Sequence, residues 1–140
     1  MLPGTDKTSK PAALAMVICD MVLRDESTHN VSLVGLFNAI TTPRLPAIHN
    51  RMHVFVSLTG MHGKHDFVLQ CKAPDEGIVF EVKGEVAMED PLAVADLNLQ
   101  LRGIVFQVAG NYVFELYCGG DLLIMRRFSV IVGESPCKKQ

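Results

Sequence analysis

Ile78-Val79-Phe80-Glu81-Val82-Lys83-Gly84-Glu85-Val86 alternates apolar and charged residues. Ile78, Phe80, Val82 and Val86 share one face, and Glu81, Lys83 and Glu85 share the other. A helix would scatter those charges around its circumference, so the period of two predicts a half-buried strand. Phe80 is then expected at the centre of a core, and Lys83 outside it. The same period recurs outward from this stretch. It appears in Phe67–Lys72, in Leu97–Arg102 with Leu99 expected in the core, and in the row Met52, Val54, Val56 and Leu58. Tyr112, Phe114, Leu116 and Cys118 form one more inward row.

Three segments alternate less cleanly. Ala13–Leu23 is almost wholly apolar and reads as a strand covered on both faces, or as a short helix with Pro11 in its first turn. The strand is favoured because it pairs readily with Asn30–Asn38 through a turn at 24–29. Gly35 within that second run marks a bulge or a close packing point. Asp121–Val132 begins with Leu122-Leu123-Ile124-Met125, apolar on both phases, and then settles into alternation. A bulge near Arg126-Arg127 would reconcile its halves.

Turn signals separate the runs. Gly119-Gly120 predicts a tight hairpin, Gly60–Gly63 a longer one, and Pro74-Asp75-Glu76-Gly77 a turn. Pro43 and Pro46 make 39–51 a crossing loop. The result is about eight strands, at 13–23, 30–38, 52–60, 65–73, 78–87, 95–102, 111–118 and 121–132. The expected fold is an all-β antiparallel β-sandwich, immunoglobulin-like or C2-like. Gly110-Asn111-Tyr112 at the start of a late strand resembles the tyrosine corner of immunoglobulin-like domains, with Phe114 in place of the cysteine two residues later.

Composition sets limits. A chain of 140 residues with 49% hydrophobic and 20% charged residues has material for one domain, at 11–133, and is not a disordered polymer. Segments 1–10 and 134–140 are expected to be polar, flexible tails. The net charge of −2 gives no footprint for nucleic acid or an anionic membrane. Lys7 and Lys10 ahead of an apolar run resemble the start of a secretion signal. However, Asp20 ends the run without a small-x-small cleavage site, and Ile18 is too large to precede a lipid-anchored Cys19. A cytoplasmic location is therefore expected. Cys19, Cys71, Cys118 and Cys137 include no C-x-x-C pair. The first three read as small buried hydrophobes, Cys137 as exposed, and all as reduced thiols.

Val17-Ile18-Cys19-Asp20 followed by Val31–Asn38, then Phe55–Leu58, then Gly110–Leu116 running into Asp121-Leu122-Leu123, resembles a family of small bacterial β-rich proteins classed only as a domain of unknown function. The resemblance spans about 13–132. It implies a β-sandwich in a bacterial cytosol and carries no catalytic residue or cofactor.

Strict alternation of eight strands would gather loops 24–29, 61–64, 88–94 and 119–120 at one end. His29, His62 and His65 would then be candidate metal ligands, with Asp25, Glu26, Glu89, Asp90 and Asp121 beside them. That end could serve a metal-assisted hydrolase. The aspartates come singly, without the repeated spacing of a calcium site. Polar loop tips are also the default in any sandwich. His49 and His53 straddle a loop-to-strand boundary, which leaves His53 as a surface or semi-buried strand residue. No phosphate loop, dinucleotide fingerprint or nucleophile elbow is present. One of Arg126 and Arg127 is expected to meet a carboxylate or solvent and the other to project to a partner, with structural pairing the favoured role.

The favoured reading is a non-catalytic binding or assembly module with no cofactor, whose partner is another protein or a second copy. A ligand carrier would follow if the sheets closed into a barrel. Runs apolar on both phases need cover on both faces, and a two-layer sandwich covers one. Leu123 and Met125 are therefore the expected interface, giving a homodimer.

Overall fold

The computed structural model describes residues 10–134. The expected tails, Cys137 included, lie outside the described residues apart from Lys10 and Glu134. Among the described residues nine strands are formed: β1 (Ala12–Arg24), β2 (Val31–Leu36), β3 (Ala39–Thr42), β4 (Ala47–Thr59), β5 (Gly63–Lys72), β6 (Ile78–Met88), β7 (Val94–Phe106), β8 (Gly110–Cys118) and β9 (Asp121–Val132). They make two packed sheets, ordered β2-β1-β4-β7 and β3-β9-β8-β5-β6. Ala13–Leu23 is thus strand, not helix. Every pairing is antiparallel except β3 with β9, which is parallel.

The ninth strand is β3, inside the stretch expected to be a loop. Four residues before Pro43 are enough to add to β9 at Ser129–Val132. Gly60-Met61-His62 is not a hairpin either. It carries the chain from β4 in one sheet to β5 in the other, with Met61 buried beneath it. Gly119-Gly120 does join paired strands. Both residues have positive φ, 59° and 88°, which a two-residue hairpin turn of this hand requires.

Inward rows from both sheets fill the space between them. Phe106, Tyr112, Phe114 and Phe128 form its fully buried aromatic centre, with ring centroids 5.0–5.7 Å apart in successive pairs. Phe80 and Leu99 point inward as expected, yet they are only half-buried. The reason is position: β6 and β7 are the outermost strands of their sheets on one side of the sandwich. Ile78 leaves the inward face altogether. A bulge shifts the register after Cys71, so Ile78 pairs with Lys72 and is exposed. Gly84, inward between Val82 and Val86, seats the Phe67 ring, which a Cβ there would overlap.

The irregularity in β9 lies at Leu123 rather than at Arg126-Arg127. Leu116 pairs with Ile124 while Tyr117 pairs with Leu122, leaving Leu123 as the extra residue. Arg126 consequently keeps the inward phase. Its guanidinium donates to Asn38 Oδ1 (2.9 and 2.7 Å) and to the Met16 carbonyl (2.9 Å), tying the first strand to the last across the two sheets. Its partners are an amide and a carbonyl, not a carboxylate.

Candidate functional site

Strand directions settle which loops meet. The added β3 reverses the alternation, so 25–30 lies with 43–46, 73–77 and 107–109 at one end. The turns 60–62, 89–93 and 119–120 share the other. Gly60 N donates to Pro91 O (2.9 Å) at the second end, and Gly119 N to Asp66 O (2.8 Å). His29 is therefore separated from His62 and His65 by the length of the sandwich, roughly 40 Å for a 13-residue strand. The two histidines that stay together are engaged locally, with His65 Nε2 3.1 Å from the His62 carbonyl. No group of three His, Cys, Asp or Glu side chains able to hold a metal occurs among the described residues.

The acidic loop residues shape their own turns. Asp25 Oδ1 accepts from Ser27 N (2.8 Å), Ser27 Oγ (2.8 Å) and Thr28 N (2.9 Å). These donors favour the carboxylate and lower its pKa to about 2. Asp75 accepts from Gly77 N (3.0 Å), and Asp90 from Leu92 N (2.9 Å). His49 and His53 diverge because β4 shifts phase between them. His49 turns inward, 5.6 Å from the Phe37 ring, and His53 lies outward, with Nδ1 2.8 Å from Asn98 Oδ1.

Thiol chemistry is equally muted. Cys19, Cys71 and Cys118 are free and buried, and burial pushes the Cys71 thiol up to about 12. Tyr112 does form a corner: its hydroxyl donates to Val108 O (2.7 Å) and accepts from Val108 N (3.3 Å). Together with β5, β8 and β9 as neighbours in one sheet, and β1, β4 and β7 in the other, this is the immunoglobulin-like arrangement. The β2 strand lies outside that frame, as an extra edge beyond β1.

The outer faces of the two sheets differ in character. On the five-stranded sheet, Glu115 meets Lys72 Nζ (3.2 Å) and the Tyr117 hydroxyl (3.0 Å), and Gln70 Nε2 donates to Glu81 (2.6 Å). The Glu115 carboxylate holds Lys72 and Tyr117 above their ordinary pKa values, since each gives up a hydrogen bond on losing its proton. On the four-stranded sheet, Ser57 Oγ donates to Asp96 (2.6 Å) beside the His53–Asn98 pair. Around β1 and β2 that face changes. Met21, Leu23, Val34 and Leu36 stand outward there, 40, 49, 45 and 62% exposed. Sequence reading missed them as a group, although the both-phase apolarity of Ala13–Leu23 was their signal.

Of the expected interface, Met125 points outward at 55% exposure, with Leu122 near it at 44%. Leu123 sits at the bulge, partly buried against the core. An open, polar cleft of about 570 Å³ lies where β1 parts from β4, lined by Asp20, His49, Asn50, Arg51 and Arg102 among others. Among the described residues, no helix is long and apolar enough to cross a membrane.

Residues 14–131 match a family of unknown function, DUF6941. The chain belongs to it. DUF6941 membership agrees with the resemblance read from the strand motifs and names no activity. None of the curated proteins matches the chain. Among solved structures it is similar to an immunoglobulin-like protein from Pseudomonas aeruginosa, at 16% identity and a TM-score of 0.48, over 86% of this chain and 96% of that one.

Proposed function

We propose that this DUF6941 domain is a non-catalytic binding or assembly module that works in the bacterial cytoplasm by joining a protein partner or a second copy of itself. One observation carries the reading. Asp25, Asp75 and Asp90 are engaged in their own turns, while large apolar side chains stand exposed on strand faces. An apolar group left in water gains by association, at about 25 cal/mol per Å² removed from solvent. Such surfaces include the outer face of β1–β2, and Met125 with Leu122 on β9.

Sedimentation and light scattering of the full chain at micromolar concentrations, with cross-linking in intact cells, test the proposal. The expected result is a concentration-dependent dimer or one defined cross-linked species in the soluble cell fraction. A monomer at every concentration, with no cross-linked partner, would overturn it.

A further inference from the structure

Resting on that reading, we infer that the outer face of the β1–β2 hairpin is a dimer interface, and that its occupant is the same face of a second copy. Register places the residues. Ile18 and Val54 pair on the inward side, so Cys19, Met21 and Leu23 face outward on β1. Their partners on β2 are Leu36, Val34 and Ser32. Met21, Leu23, Val34 and Leu36 therefore form one contiguous panel, with Ser32 as its only polar member.

The panel lies on the face of its sheet away from the five-stranded sheet. β1 pairs with β4 only from Ala12 to Cys19, and beyond Cys19 it holds β2 alone. The hairpin is pinned from the other side, where the Asp20 carboxylate lies over Gly35 at a φ of 72° and a Cβ would overlap it. Phe37 N returns to Ile18 O (3.0 Å) at its base. The two-stranded ribbon thus presents an apolar face whose four large side chains are 40–62% exposed.

Its size and charge select the occupant. The four side chains expose roughly 350 Å² of apolar surface, within the range where the largest patch on a monomer is often functional. Two copies packed face to face would bury roughly 700 Å² of it. At about 56–65% apolar content this means an interface of roughly 1,100–1,250 Å², the low end for specific association. A panel without charge has nothing to repel its own image, and a twofold axis lets the same patch serve both sides. Sheets meeting this way stand about 10 Å apart, as the two layers of a sandwich do.

The β9 surface is the poorer candidate. Met125 pairs with Glu115, which is already bound to Lys72 and Tyr117, and the edge-facing Met16 carbonyl is occupied by Arg126.

Sedimentation equilibrium on the full chain and on Leu36→Glu, Val34→Thr and Met125→Glu variants decides the matter. The wild type should dimerise at micromolar concentration. Leu36→Glu should weaken dimerisation by about a hundredfold or more, because a charge would be buried unpaired. Val34→Thr, nearly isosteric, should weaken it several-fold and guards against a variant that does not fold. Met125→Glu should leave it unchanged. A dimer broken by Met125→Glu and indifferent to Leu36→Glu and Val34→Thr would overturn this inference while leaving the assembly reading intact. A wild-type monomer would overturn it too. If cells then yield a cross-linked partner of another kind, the module reading survives; if they yield none, both fall.

Discussion

The outer face of the four-stranded sheet is divided. Along the middle of β4 and β7, outward polar side chains answer one another across the strands, His53 with Asn98 and Ser57 with Asp96, while Ile48 and Val105 stand exposed at one end. Along β1 and β2, the outward residues at equivalent positions are Met21, Leu23, Val34 and Leu36, and they answer only each other. Both pairs belong to one sheet, and both present ordinary inward rows to the core. The difference teaches where to look for a binding surface in this fold. Inward residues are held by packing. Outward polar pairs are satisfied within the chain. An outward apolar cluster is held by neither, and the dimer proposed above would supply its cover.

The contrast can be broken most forcefully at the core, which sets the scale. Phe114→Ala removes a fully buried ring packed on Phe80 and Phe128, and should cost about 3–5 kcal/mol in urea unfolding. Phe80→Ala should cost less, because β6 is a border strand and the ring is half-buried. Equal costs would show that the border is packed as tightly as the centre.

A smaller effect separates the two outer regions directly. His53→Ala loses the bond to Asn98 and should cost about 1 kcal/mol. Leu36→Ser, measured at concentrations dilute enough to hold the chain monomeric, should change stability by no more than about 0.5 kcal/mol. If Leu36→Ser were as damaging as Phe114→Ala, the hairpin face would belong to the folding unit, and the comparison would collapse.

The smallest effect belongs to the tip of that hairpin. The folded pKa of Asp25 lies at about 2, below the ordinary value of 3.8. Its contribution to stability is present above pH 3.8 and is lost as pH falls through 2. An NMR titration should show the Asp25 carboxyl titrating near 2, and Ser27→Ala should move it upward by removing one donor. A value unchanged by Ser27→Ala would mean that the backbone donors alone hold the turn.

Much of the fold was legible because inward rows repeat every two residues wherever one face is buried. Ile78–Val86, Leu97–Arg102 and Tyr112–Cys118 all declare themselves in this way. What escaped is local and short. β3 has four residues between a turn and a proline, too few to show a period, yet it changes the parity of the chain. That single change moved His29 to the opposite end from His62 and His65 and dissolved the candidate metal cluster. Bulges escaped for the same reason. One extra residue at Leu123, or a register shift after Cys71, re-aims the side chains beyond it without altering composition. The candidate surface was half legible. Excess apolarity in Ala13–Leu23 pointed to a need for cover, but only register could show that Val34 and Leu36 share it.

The Arg126 clasp has a consequence for how the protein is made. Its bond to the Met16 carbonyl spans 110 residues of chain. At roughly 5–20 residues per second, the ribosome delivers Arg126 about 5–20 s after Met16. During that interval the edge of β1 before Cys19, where β2 does not pair, lacks the bond that Arg126 supplies. The protein's last strand works as a latch, and a chain released before that strand emerges would leave its first strand open to any neighbouring nascent chain.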